Sequence, residues 1–117
     1  MSKEEIKEFV KRFYQALDAG DAETASSLFP DGTKIYLWDG KVFKTQEEFR
    51  AWFEKLHSTS ENAKREVTKL EVEGNVAYIE VVLKANVNGE EKIVNLTHKF
   101  YFEGDKLVEV EVKIVPL

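Results

Sequence analysis

Residues 92–102 read KIVNLTHKFYF. The even positions are Val94, Leu96, His98, Phe100 and Phe102, and all but the histidine are apolar. Asn95, Thr97, Lys99 and Tyr101 fall between them. A period of two marks a strand with one covered face and one wet face. His98 therefore points to the covered side, flanked by Leu96 and Phe100. A polar ring placed there needs a hydrogen-bond partner. This strand reads as the floor of a hollow that the other elements wall in.

On either side of it lie two more strands of the same kind. Residues 76–87 join it through Asn88 and Gly89, the strongest two-residue hairpin signal. After Glu103, Gly104 and Asp105 a last strand places Val108, Val110, Val112 and Ile114 on one face. A first long strand spans 63–73. In it Arg65 and Val67 share one parity while Leu70 and Val72 have the other. A bulge near Thr68 reconciles the two and curves the sheet, and a curved sheet encloses space.

Upstream, the pattern turns helical. Ser2 and Glu5 form a capping box. Ile6, Phe9, Val10, Phe13, Tyr14 and Leu17 follow on one helix face, and Gly20 ends the helix. Asp21 caps a short second helix running to about 29. Pro30, Asp31 and Gly32 make a turn before a small hairpin, 33–38 with 41–43, closed by Asp39 and Gly40. Thr45 and Glu48 cap a third helix with Phe49, Trp52, Phe53 and Leu56 inside and His57 at its end, read as a surface residue. The expected class is α+β: three N-terminal helices packed on a curved antiparallel sheet that encloses a pocket, in one domain over 1–117.

Totals narrow the function. The chain has 117 residues, 43% hydrophobic and 33% charged, with a net charge of -5. That balance speaks against nucleic acid and anionic membrane surfaces as partners. There is no cysteine, so disulfides and thiol chemistry are excluded. No apolar run approaches the ~20 residues of a membrane-crossing helix. The opening MSKEEIKEFV reads as amphipathic helix rather than secretory leader. The expectation is a soluble monomer, cytoplasmic when expressed. One inward histidine with no carboxylate cluster beside it offers no metal site.

Four polar residues fall on inward faces. Tyr14 and Asp18 are one helical turn apart and stack on one side. A tyrosine there can be a plain core aromatic, and an aspartate in a last turn can simply be solvated. An acid at a helix C-terminus is unfavourable with the helix dipole and calls for compensation. Arg65 is the candidate, in a bidentate pair; Tyr14 is the candidate partner of His98. Candidate walls are Leu17 on the first helix and Leu37 and Trp38 on the small hairpin. Phe49, Trp52, Phe53 and Leu56 add the third helix. Val67, Val81, Leu83, Val94, Leu96, Phe100, Val110 and Val112 add the sheet. Such walls suit a flat polyaromatic ligand.

The order of elements resembles the nuclear-transport-factor-2-like (ketosteroid-isomerase-like) superfamily over the whole chain. FYQALDAGDAETASSLF (13–29), LWDG (37–40) and FRAWFEKL (49–56) resemble one group within it. These are de novo luciferases on idealised scaffolds, which act on the synthetic luciferin diphenylterazine. Tyr14, Asp18, Arg65 and His98 coincide with that group's site. The resemblance implies a cofactor-free reaction with O2 as co-substrate. It implies that Arg65 stabilises a substrate anion, that Asp18 holds Arg65, and that His98 and Tyr14 hydrogen-bond the heterocycle. A binding scaffold without turnover is the alternative. An isomerase needs a free pocket carboxylate, and Asp18 is expected to be taken by Arg65; a dehydratase of this fold needs a second pocket histidine.

Overall fold

The computed structural model describes residues 1–115. Three helices come first in substance: α1 (Lys3–Asp18), α2 (Ala22–Ser27) and α3 (Gln46–Ser58). Between α2 and α3 lie two short strands, β1 (Lys34–Tyr36) and β2 (Val42–Phe43). The long strands β3 (Ser60–Glu73), β4 (Val76–Val87), β5 (Glu90–Glu103) and β6 (Lys106–Val115) follow. They form one six-stranded sheet in the order β2-β1-β6-β5-β4-β3.

The helix ends follow the caps read from the sequence. Ser2 and Glu5 close a reciprocal capping box, and Thr45 accepts from the Glu48 N–H at 3.1 Å. Beyond α1, Gly20 adopts φ +70°, the left-handed turn that a glycine permits. A Cβ at Gly20 would lie 2.5 Å from the His57 Nε2. The His57 ring therefore rests on the end of α1, with the Phe53 ring 6.0 Å away. His57 is exposed, as expected of a surface residue, and the edge of its ring covers Gly20. Asn88 and Gly89 both have positive φ, as a two-residue hairpin of the expected type requires.

The sheet departs from the expected one in several places. It is mixed and not wholly antiparallel, because β1 runs parallel to β6, with Ile35 opposite Val110. The strand after α3 starts at Ser60, three residues early, because α3 runs into it without a loop. The register slips between Glu61 and Lys64, where Asn62 takes φ +54°; asparagine tolerates that conformation better than most residues. The expected bulge at Thr68 is present, between Val67 and Lys69. A further slip, between Tyr101 and Phe102, sets Leu107 opposite Phe102. Leu107 is thus the buried residue, and Val108 does not share the covered face with Val110. Both short strands and α2 are shorter than their sequence signals suggest.

The alternation of β5 holds. Leu96, His98, Phe100 and Phe102 are buried, while Ile93 on the other face is 48% exposed. The core lies between α1, α2 and α3 and the concave side of the sheet, and joins Ile6, Val10, Phe13, Phe29, Phe49, Phe53, Ile79 and Phe100. Phe13 meets Phe100 edge-on with ring centroids 5.6 Å apart, so α1 is locked onto β5. One turn further along α1, the same face presents Tyr14, Leu17 and Asp18 to the sheet.

Candidate functional site

Consecutive turns of α1 serve two strands. Tyr14 reaches β5 and Asp18 reaches β3, the strand at the edge of the sheet. The Tyr14 hydroxyl is hydrogen-bonded to Nδ1 of His98, with the two rings nearly parallel. A neutral imidazole carries one N–H, so this bond has two forms. In one, Tyr14 donates to Nδ1 and the His98 Nε2–H is a donor. In the other, Nδ1–H donates to the phenol oxygen and Nε2 offers a lone pair. Burial, assisted by the nearby Arg65 cation, pushes the His98 imidazolium down to about 3, so the ring is neutral at ordinary pH. Burial also drives the Tyr14 phenol well above its usual range, against a smaller opposing pull from Arg65.

The second pair differs from the expected bidentate one. Arg65 is opposite Leu83, and its own N–H faces the open edge of the sheet. That N–H donates to Oδ1 of Asp18 at 3.0 Å, and the guanidinium Nη1 donates to the same oxygen at 3.1 Å. One carboxylate oxygen thus holds both the backbone and the head group. The Arg65 side chain is 7% exposed and that of Asp18 29%. The guanidinium carbon also lies 5.9 Å from the centre of the Phe53 ring, which favours a cation there.

These pairs close the inner end of a cavity of about 250 Å³. Of the sequence-derived wall residues, Leu17, Leu37, Trp38, Phe49, Trp52, Phe53 and Leu56 line it. From the sheet come Leu83, Val94, Leu96, Phe100, Val110 and Val112. Arg65 and His98 are its polar lining, and the described lining includes no carboxylate. Among the described residues no buried side-chain nitrogen or oxygen is both sealed and unpartnered. Within that set Nε2 of His98 makes no protein hydrogen bond, so it opens on the cavity. At the other end Trp38 is 47% exposed, and its ring packs edge-on against Trp52 at 6.4 Å.

Two expected wall residues are elsewhere. Val81 is sealed in the core, and Val67 is 41% exposed. Val67 has the inward parity, but on an edge strand it projects past α1 into an outer groove instead of the cavity. Three lining residues were not in the expected set: Phe13, Ile35 and Ile114. Helical spacing to Leu17 marks Phe13, and the phase of Val110 and Val112 marks Ile114. The phase of Leu37, two residues on in the same expected strand, marks Ile35 in the same way.

Tyr14 and Asp18 line that outer groove, between α1 and β3, and Arg65 lines both hollows. The quartet is therefore a partition with an apolar room on one side and a polar trench on the other.

This architecture is that of a known family, and the chain belongs to it: residues 10–110 match the SnoaL-like domain. Among curated proteins none matches the sequence. Solved structures share the fold at low identity. A putative SnoaL-like polyketide cyclase from Shewanella denitrificans superposes with a TM-score of 0.86 at 11% identity, over 97% of this chain and 92% of its own. A hypothetical protein from Catenulispora acidiphila with a ketosteroid-isomerase-like fold, in complex with trimethylamine, gives 0.82 at 18% identity, over 90% and 83%. A de novo designed protein with a curved β-sheet gives 0.75 at 22% identity, over 99% and 89%. The family and fold are those of small-molecule-binding or catalytic domains. No helix is long and apolar enough to cross a membrane.

Proposed function

We propose that the chain is a cofactor-independent luciferase, oxidising an imidazopyrazinone of the diphenylterazine type with O2 to an amide, CO2 and light. The observation that carries this reading is the pairing of one fixed cation with one neutral imidazole at the blind end of an otherwise apolar cavity. The sequence resemblance of 13–29, 37–40 and 49–56 to luciferases on such scaffolds supports the choice of substrate.

Such a substrate must shed a proton before O2 can add. The resulting anion gains from a charge a few ångströms away, and the gain grows as the dielectric falls. Arg65 supplies that charge, and Asp18 keeps it from swinging out. His98 faces the heterocycle as a neutral acceptor of its proton. The oxygen adduct closes to a dioxetanone, CO2 leaves, and the excited amide anion emits and regains a proton. Electrons pass from substrate to oxygen, so the protein needs no redox group of its own. Trp38, Trp52, Phe49 and Phe53 hold the emitter rigid and dry.

The test is Arg65→Ala mixed with diphenylterazine. We expect light output to fall about 10²- to 10³-fold, as when one preorganised charge donor is lost. Undiminished emission would remove the assigned role.

The size of the cavity favours a second reading. At about 250 Å³ it lies just below the range of roughly 300 Å³ and more typical of drug-sized ligands. A diphenyl-substituted ligand must extend through the mouth past Trp38. A binding scaffold for a smaller flat anion needs no such extension. Saturable binding of diphenylterazine with no emission above buffer would select that reading.

A further inference from the structure

We propose that Tyr14 and His98 form a proton relay through the partition, carrying the substrate's proton from the cavity into the groove between α1 and β3 instead of out through the mouth. The inference rests on the luciferase reading for its substrate; its path is argued from which hollow each residue lines and from the bond between them. His98 lines the cavity and Tyr14 lines the groove, and a single hydrogen bond joins them. The groove carries Lys7, Glu8, Lys11 and Gln15 beside Asp18 and Val67, and it is a wet surface. The mouth is lined by Trp38, Leu56 and Ile114, which give a proton nothing to hop along.

The step balances as follows. The relay requires that, before transfer, Nδ1–H of His98 donates to the phenol oxygen and the phenol O–H donates to water admitted from the groove. The ligand's proton passes to Nε2, the Nδ1 proton passes to the Tyr14 oxygen, and the phenol proton passes to water. What remains is the ligand anion with an Nε2–H donor facing it, and Tyr14 donating to Nδ1. Concerted transfer forms neither an imidazolium nor a phenolate. Both of those are strongly disfavoured here by burial, and the imidazolium also by Arg65. A histidine that had to store the proton would be a poor base; one that passes it on is not limited in this way. After CO2 leaves, the amide anion takes the proton from Nε2 and the same chain runs in reverse. The relay is thereby reset, as a reaction with no net proton change requires.

The experiment uses diphenylterazine without oxygen. Formation of its anion on the protein is followed by stopped-flow absorbance in wild type, Tyr14→Phe and Val67→Trp. Tyr14→Phe cuts the chain at its second link. Val67→Trp fills the groove from an exposed position and leaves the cavity untouched. Expected is anion formation slowed about 10²-fold in Tyr14→Phe, within the usual range for a positioned proton carrier. A smaller loss is expected in Val67→Trp, at unchanged ligand affinity. The rate in mixtures of H2O and D2O should show several protons in flight in wild type and fewer in Tyr14→Phe. Wild-type rates in both variants overturn the relay and leave the luciferase reading standing. An anion that forms as expected but gives no light once oxygen is admitted overturns the luciferase reading and leaves the relay. A bound ligand that stays neutral in wild type overturns both.

Discussion

The two ends of the cavity are built on opposite plans. At the blind end, residues distant in sequence are joined by directional bonds: Tyr14 to His98 and Asp18 to Arg65. At the mouth, Trp38, Trp52, Leu56 and Ile114 present apolar surface, and Trp38, Leu56 and Ile114 are more than a third exposed. Bonds that satisfy buried polar groups are costly to break, because what remains is stranded away from water. Half-exposed apolar contacts are cheap to change. The blind end should therefore govern stability and chemistry together, and the mouth should govern which ligands enter.

The sharpest way to break this contrast is Asp18→Ala. It leaves a nearly buried guanidinium without its carboxylate, which costs about 3–5 kcal/mol in buried pairs. The partial exposure of Asp18 puts the expected loss at the lower end of that range. Urea denaturation reads it directly, and a loss under about 1 kcal/mol would mean the pair is only decorative. Next in size is a pH effect. His98 is held neutral in the fold but protonates near 6.5 when unfolded. As pH falls from about 6.5 toward about 3, the unfolded chain binds a proton that the folded chain refuses. Stability is therefore present above that window and falls within it, by at most about 1.4 kcal/mol per pH unit from this group. Carboxylates titrate there too, so the measurement is the difference in slope between wild type and His98→Phe. Equal slopes would show that the ring is not held neutral.

Gly20→Ala should cost about 1 kcal/mol from its backbone angle, and more from the His57 ring in its way. Thermal unfolding of Gly20→Ala beside Gly20→Ala/His57→Ala separates the two causes. Trp38→Ala should be smallest in stability, within about 0.5–1 kcal/mol. Its effect should appear in ligand choice, with relatively better binding of analogues carrying bulkier substituents. A large stability loss from Trp38→Ala would erase the distinction between the two ends.

The blind end was more legible in the sequence than the mouth. Tyr14 and Asp18 are one turn apart, so helical geometry alone puts them on one side. The alternation of β5 aims His98 inward without reference to any other strand. What that reasoning lacked was knowledge of neighbours. Arg65 and Val67 share a parity, yet Arg65 lines both the cavity and the groove while Val67 lines the groove alone. Apolar neighbours also hide a slip: with Leu107 and Val108 adjacent, alternation gives no sign of where the phase changes. The parallel pairing of β1 with β6 joins three residues to a strand over 70 positions away. No local pattern encodes such a pairing.

One bond at the blind end has a consequence beyond ligands. β3 is a border strand of 14 residues, and a border strand offers its unmet amides to any passing chain. At Arg65 that offer is already taken, because the Asp18 carboxylate sits on the amide. The aspartate thus blocks intermolecular templating at the middle of the strand. Its loss should show as concentration-dependent fibril growth, and asparagine, which keeps the acceptor oxygen, should prevent it.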